Sequence, residues 1–148
     1  MSVVIREAIE ADLDSVLSLY LQSGLDSQVL APGQARAVFR RFAEYPNYRL
    51  FVAHQSSSST VVGTYALLVM HNLAHSGTPS AIAEDVVVSP DYQGKGIGRQ
   101  LMAHAVQLAR NAGCYKLALS SNAKRQSAHA FYESLGFQRH GISFVIET

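Results

Sequence analysis

The stretch VVVSPDYQGKGIGRQLM, residues 86–102, decides the fold. A β-branched run stops at Ser89-Pro90, a loop with three glycines follows, and a long helical pattern begins. Gly94, Gly96 and Gly98 have no Cβ, so the backbone can turn tightly and approach a ligand closely. The first N–H groups of the helix have no partners of their own and point outward with the positive end of the helix dipole. Lys95 and Arg99 add positive charge, so the loop suits a pyrophosphate. Two better-known phosphate loops are excluded. No Ser or Thr follows Lys95, as GxxxxGK[ST] demands, and the glycines are spaced GxGxG rather than GxGxxG, with no acid at the expected distance.

Outward from this loop the chain alternates between strand and helix patterns. Val3 to Arg6 reads as a strand, and Leu13, Val16, Leu17 and Tyr20 recur at helical spacing. A second helix is predicted after Ala31-Pro32, with Val38, Phe39 and Phe42 on its apolar face. Tyr48–His54 and Thr60–Met70 form a strand pair around Ser56–Ser59, His71–Ser80 is a loop, and Ala81–Val88 is a strand. The helix after the loop carries an apolar stripe through Ile97, Leu101, Met102, Ala105, Val106, Leu108, Ala109 and Ala112, with Arg99, His104, Gln107 and Arg110 mostly off the stripe and Gly113 at its end. Tyr115–Leu119 is a strand, Ser127–Ser134 a helix, and Phe137–His140 and Ile142–Ile146 are the last two strands. This order predicts a mixed α/β domain spanning 1–148.

Composition narrows the function. The 148 residues are 48% hydrophobic and 16% charged, with a net charge of +1. A general nucleic-acid binder needs a basic excess, so that class is excluded. The apolar run Val61–Met70 falls well short of the ~20 residues of a membrane span. The single cysteine, Cys114, fits a reducing compartment, and no signal-peptide pattern opens the chain. The expectation is a soluble cytoplasmic protein. His71 and His75 lie four apart, but no carboxylate or cysteine completes a metal set, so no metal is expected.

Gln93-Gly94-Lys95-Gly96-Ile97-Gly98 resembles the [QR]xxGx[GA] signature of the GNAT superfamily of acyl-CoA N-acetyltransferases, and Phe131-Tyr132-Glu133-Ser134-Leu135-Gly136-Phe137 resembles its second motif. The resemblance implies a GNAT fold: a mixed sheet of about seven strands, a splayed central pair and about four helices. It implies acetyl-CoA as acyl donor. Val86, Val87 and Val88 would bind pantetheine through backbone groups, and Gln93, Gly94, Lys95, Gly96, Ile97, Gly98 and Arg99 would hold the pyrophosphate. The family's common cofactor-binding Asn is replaced by Arg125, with Asn122 three residues earlier; both are candidate cofactor contacts. The matching tyrosine, Tyr132, would serve as general acid toward the leaving thiolate, the plain alternative being a core tyrosine beside Phe131.

Acetyl transfer requires an amine that has lost a proton, and a carboxylate can take it. Glu84 and Asp85 are adjacent acids just before the pantetheine region. Strict alternation places Ile82, Glu84, Val86 and Val88 on one side and Asp85 on the other. The resemblance implies a base carboxylate on this strand, in some members two residues earlier, where this chain has Ile82; Glu84, the next position on that face, is the expected base, with Asp85 a substrate contact or the alternative base, and His71 a contact at the substrate mouth. A nucleophilic Cys114 is disfavoured at a helix C-terminus, where the dipole opposes a thiolate.

Within the family the chain is similar to two branches, glucosamine-6-phosphate and aminoalkylphosphonate N-acetyltransferases. Both act on small primary amines bearing a phosphate-like anion. The expected activity is acetyl transfer to such an amine by direct attack in a ternary complex. A protein or peptide N-acetyltransferase and a non-catalytic acyl-CoA sensor are the alternatives. Because family members often dimerise through late strands, the resemblance implies a homodimer, with the apolar run Ile142–Ile146 as the candidate contact.

Overall fold

The computed structural model describes residues 2–148 and falls into two compact units, one running to Ala118 and the other Leu119–Thr148. In the first, β1 (Val3–Glu7), β2 (Tyr48–Gln55), β3 (Val61–Met70), β4 (Ser80–Val88) and β5 (Leu117–Ala118) form one sheet in that order. β1 to β4 pair antiparallel, and β5 joins β4 in parallel. The helices α1 (Leu13–Gln22) and α2 (Pro32–Arg41) cover one face; α3 (Ile97–Asn111) covers the other. The second unit holds α4 (Gln126–Ser134).

Local chemistry sets the boundaries. Pro32 opens α2 in its first turn, and the Gln34 side chain accepts a bond from the Ala31 N–H at 3.3 Å. β1 is fastened to α1 by the Arg6 guanidinium, which donates to both oxygens of buried Asp12 at 2.7 and 2.9 Å. Asp12 also accepts the Ile9 N–H at 2.8 Å. Leu13, Val16, Leu50, Val52 and Ala66 pack into the core beneath α1 and α2.

The sheet has five strands rather than seven. Phe137–His140 and Ile142–Ile146 carry no strand, and Ile142, Phe144, Val145 and Ile146 are each more than 80% exposed. Apolar alternation supplies side chains, but a strand exists only where its N–H and C=O groups find a ladder partner. Tyr115–Leu119 shrinks to the two residues of β5 for the same reason. Val38 is exposed; α2 buries Ala35 and rests on Phe39.

β4 departs from the regular alternation expected of it. Its register pairs Leu67 with Ala83 and Ala66 with Glu84, but then Thr64 with Val87 and Gly63 with Val88. Asp85 and Val86 thus oppose the single residue Tyr65, which is a β-bulge. The bulge breaks the alternation expected from sequence. Glu84 shares a face with Val87 and Ala66, whereas Val88 lies with Gly63 on the α3 face. Asp85 has φ 53°, a left-handed conformation that aspartate tolerates better than most side chains. The loop between β3 and β4 is strained as well: His75, Ser76 and Gly77 are consecutive left-handed residues.

The Arg6–Asp12 bond yields a stability prediction. The guanidinium holds the Asp12 carboxyl below its ordinary value, so the bond stabilises the fold above the unfolded aspartate pKa and is lost as pH falls through the folded one. Asp12→Ala should cost about 1–3 kcal/mol in urea melts at pH 7. The gap to wild type should narrow as the pH falls below about 4.

Candidate active site

β4 and the loop after it carry two features of opposite polarity. At the bulge, Glu84 and Asp85 both face the α1–α2 side. Asp85 acts electrostatically on Tyr20 of α1 and Tyr48 of β2, Glu84 acts on Tyr48, and Asp26 acts on Asp85. Asp26 is brought back by the turn that ends α1, where Gly24 is left-handed and the Asp26 N–H donates to the Tyr20 carbonyl at 3.1 Å. Tyr48 is held by stacking on Phe42, with ring centroids 4.4 Å apart and planes 11° apart. It also lines a cavity of about 340 Å³ with Phe39, Phe42, Tyr45 and Leu50.

Neither acid has an ion-pair partner among the described residues. Partial burial raises the Glu84 carboxyl above its ordinary value, and the neighbouring Asp85 charge adds to it. Asp85 is raised by burial and then by Asp26. Burial also pushes the Tyr20 phenol well above its usual range, and Asp85 reinforces the shift. The result is a group of carboxylates and phenols that favours holding protons and that a cationic amine would relieve.

Beyond Val88 the chain turns through Pro90–Tyr92 into the glycine loop. Gly94 and Gly96 have φ 76° and 81°, and a Cβ on either would meet nothing within 4 Å. They are glycines for their backbone conformation and the open space beside them. Gly96 occupies the N-cap of α3, where no side chain caps the helix. The first intrahelical bond runs from the Gln100 N–H to the Gly96 carbonyl at 3.1 Å, so the N–H groups of Ile97, Gly98 and Arg99 face out of the helix end. Gln93, Lys95 and Arg99 are exposed, with the Lys95 ammonium 5.1 Å from the centre of the Tyr92 ring. Val86–Val88 continue β4 beyond the point where its pairing with β5 stops, at Ile82↔Ala118. Among the described residues that edge has no strand partner from Ala83 onward. Uncapped donors, open glycines and exposed cations fit a pyrophosphate, and a bare strand edge fits an amide-bearing arm.

His71 is exposed at the end of β3, in the same loop as the strained turn. In the second unit, the Asn122 side-chain oxygen accepts the Lys124 N–H at 2.9 Å, and the Asn122 backbone carbonyl meets His129 Nε2 at 2.8 Å. Asn122 is thereby engaged in shaping its own turn. Arg125 is exposed at the start of α4. Tyr132 is half-buried between Phe131 and Phe137, and burial raises its phenol while Arg125 opposes the shift. Among the described residues no three His, Cys, Asp or Glu side chains gather as a metal site, and no helix is long and apolar enough to cross a membrane. Burial raises the Cys114 thiol, the wrong direction for a nucleophile.

Tyr20, Tyr48 and Asp26 were missed in the sequence reading. Both tyrosines sit at apolar positions of a regular pattern, and Asp26 lies in a loop without a motif. The one available signal was two adjacent acids in a β-branched strand, which a regular strand would not place together.

The profile of the Acetyltransferase (GNAT) family matches residues 14–137. A glucosamine 6-phosphate N-acetyltransferase of Trypanosoma brucei brucei is 38% identical over 80 residues, covering 54% of this chain and 52% of the relative. The chain thus aligns with only about half of that relative's length. An aminoalkylphosphonate N-acetyltransferase of Salmonella typhimurium is 34% identical over 144 residues, covering 95% of this chain and 88% of the relative. Among solved structures, an acetyltransferase from Agrobacterium tumefaciens str. C58 superposes with a TM-score of 0.90 at 34% identity, covering 98% of this chain and 99% of the other.

The raised acids make a pH prediction. The folded chain holds the protons of Glu84 and Asp85 more tightly than the unfolded chain does. Ionising them therefore costs stability as pH climbs from the unfolded pKa through the folded one. Glu84→Gln and Asp85→Asn should each melt no lower than wild type at pH 7. Any gain should vanish below about pH 4, where the wild-type carboxyls are protonated in both states. Thermal melts at the two pH values check this.

Proposed function

From membership of the GNAT acetyltransferase family, to which this chain belongs, we propose that residues 1–148 are one domain that moves an acetyl group from acetyl-CoA to the primary amine of a small molecule, by direct attack in a ternary complex. The observation that carries this reading is the bulge in β4, which sets two raised carboxylates on one face just before a bare strand edge and an uncapped helix.

The thioester supplies an activated acyl group; the protein positions and moves protons. The N–H groups of Ile97, Gly98 and Arg99, with Gln93, Gly94, Lys95 and Gly96, bind the pyrophosphate. The backbone of Val86, Val87 and Val88 pairs with pantetheine. Asn122 and Arg125 are the cofactor contacts of the second unit. Asp85 and Asp26 attract the incoming ammonium, and Glu84 accepts its proton. A carboxyl lifted above its usual range lies closer to the amine pKa and is the better base for it. The cavity beside Tyr48 gives room for the rest of the acceptor, and His71 stands at the mouth. Tyr132 protonates the departing thiolate of coenzyme A. The two relatives named above suggest an acceptor bearing a phosphate or phosphonate. The lone Cys114 is in keeping with a cytoplasmic setting, and the exposed Ile142–Ile146 run is the proposed contact of a homodimer.

The test is release of coenzyme A thiol from acetyl-CoA with a panel of amines: glucosamine 6-phosphate, aminoalkylphosphonates, polyamines, amino acids and peptides. Amine-dependent release is expected, strongest with a small phosphorylated or phosphonylated amine. Release with peptides alone moves the acceptor to proteins, and none with any amine overturns the transferase reading. Glu84→Gln should lower kcat by about 10²–10⁴-fold, and Tyr132→Phe by a smaller factor, with acetyl-CoA binding retained. Light scattering should give twice the monomer mass, and Phe144→Asp should return the monomer.

A further inference from the structure

The helix that carries the glycine loop sits on β3 at a place where β3 has no side chain. A Cβ built on Gly63 would lie 3.1 Å from Leu101 Cδ1, 3.3 Å from Ile97 Cγ2 and 3.3 Å from the Val87 carbonyl oxygen. Gly63 is not in a left-handed conformation, so glycine is needed here for space alone. Two of the three atoms belong to the first two turns of α3, whose N-terminus follows the glycine loop. The third belongs to the strand edge assigned to pantetheine, and Gly63 is the register partner of Val88.

Two residues further along β3, on the same face, stands the largest fully buried side chain of the first unit. Tyr65 stacks on Phe51 with centroids 5.2 Å apart, and its hydroxyl meets His104 Nδ1 of α3 at 2.7 Å. His104 also packs edge-on against Phe51 at 4.9 Å. Ile97, Leu101 and His104 follow one another at spacings of four and three, so one helix face makes all these contacts. β3 therefore meets α3 with nothing at the amino-terminal end and a full tyrosine near mid-helix. At the amino-terminal end Ile97 and Leu101 fill the space left open by Gly63, and at mid-helix the Tyr65–His104 bond joins strand to helix.

We propose that Gly63 and Tyr65 are positioning residues for the cofactor: the absent side chain at 63 sets the depth of the α3 amino terminus, and the Tyr65–His104 bond sets its tilt. Neither residue touches the cofactor. The inference rests on the reading of residues 93–99 as the pyrophosphate loop.

Coenzyme A binding by calorimetry, well below the melting temperature, decides it, with kcat and KM for acetyl-CoA measured alongside. An added methyl here overpacks the contact and must displace Ile97 and Leu101. In Gly63→Ala the Kd for coenzyme A and the KM for acetyl-CoA should rise about tenfold, with kcat changed less than about twofold. Adding Leu101→Val, which removes the nearest atom from across the contact, should recover part of the lost affinity. A purely structural role for Gly63 would lower the melting temperature without this split and without affinity rescue. Tyr65→Phe adds no atom and serves if Gly63→Ala does not fold; its Kd should rise about threefold. Wild-type binding with unchanged Kd in the folded variants overturns the positioning role alone. Absence of binding by wild type overturns the pyrophosphate reading, and this inference with it.

Discussion

One extra residue in β4 is the constraint on which the first unit turns. A regular ladder from Ala83 to Val88 would place adjacent acids on opposite faces of the sheet, one under α3 and one under α1. The bulge opposite Tyr65 inserts Asp85 in a left-handed conformation and brings both acids to the α1–α2 side. Its cost is of the order of 1–3 kcal/mol for such a residue. The surrounding pairs Ala66↔Glu84 and Thr64↔Val87 hold it in place, and Tyr65 is fully buried on the α3 side. The same insertion shifts Val88 onto the α3 face, beside Gly63. The acid pair and the seat of the glycine-loop helix are thus two results of a single register change.

The segment from Glu84 to Arg99 accordingly joins two electrostatic environments. At one end, carboxylates lie among phenols and another acid, and their charge is disfavoured. At the other, helix N–H groups without a side-chain cap and exposed Lys95 and Arg99 leave positive potential unanswered. Each end suits a different kind of ligand, one a cation and the other a polyanion. The fold needs no large net charge for this, in keeping with the overall balance of +1.

Much of this was legible in the sequence, because local chemistry produced it. The glycine loop, the α3 stripe, Gly113 after its last turn and the Pro32 start of α2 follow from backbone sterics and periodicity. What failed depends on partners distant in the chain. Alternation gave the wrong face for Asp85 because a bulge is a property of two strands, and β3 carries half of it. His104 is polar and so reads as off the stripe, yet it faces β3, where its ring nitrogen meets a buried hydroxyl 39 residues away. The last two strands were expected from side-chain pattern alone, while strand identity is decided by backbone partners. Gly63 gave no signal, because an extended glycine is ordinary until the helix above it is known.

The left-handed run at His75, Ser76 and Gly77 bears on how the chain folds. Each non-glycine residue in that conformation costs roughly 1–2 kcal/mol, so the turn opposes the ladder it connects. A hairpin of this kind cannot be nucleated by its own turn, unlike one closed by a favourable two-residue loop. The pairing of β3 with β4 rests instead on residues away from the turn, such as Leu67 and Ala83. Strain that enters after the rate-limiting step is felt mainly in the unfolding rate. Relaxing that turn would prolong the lifetime of the folded chain far more than it would hasten its formation.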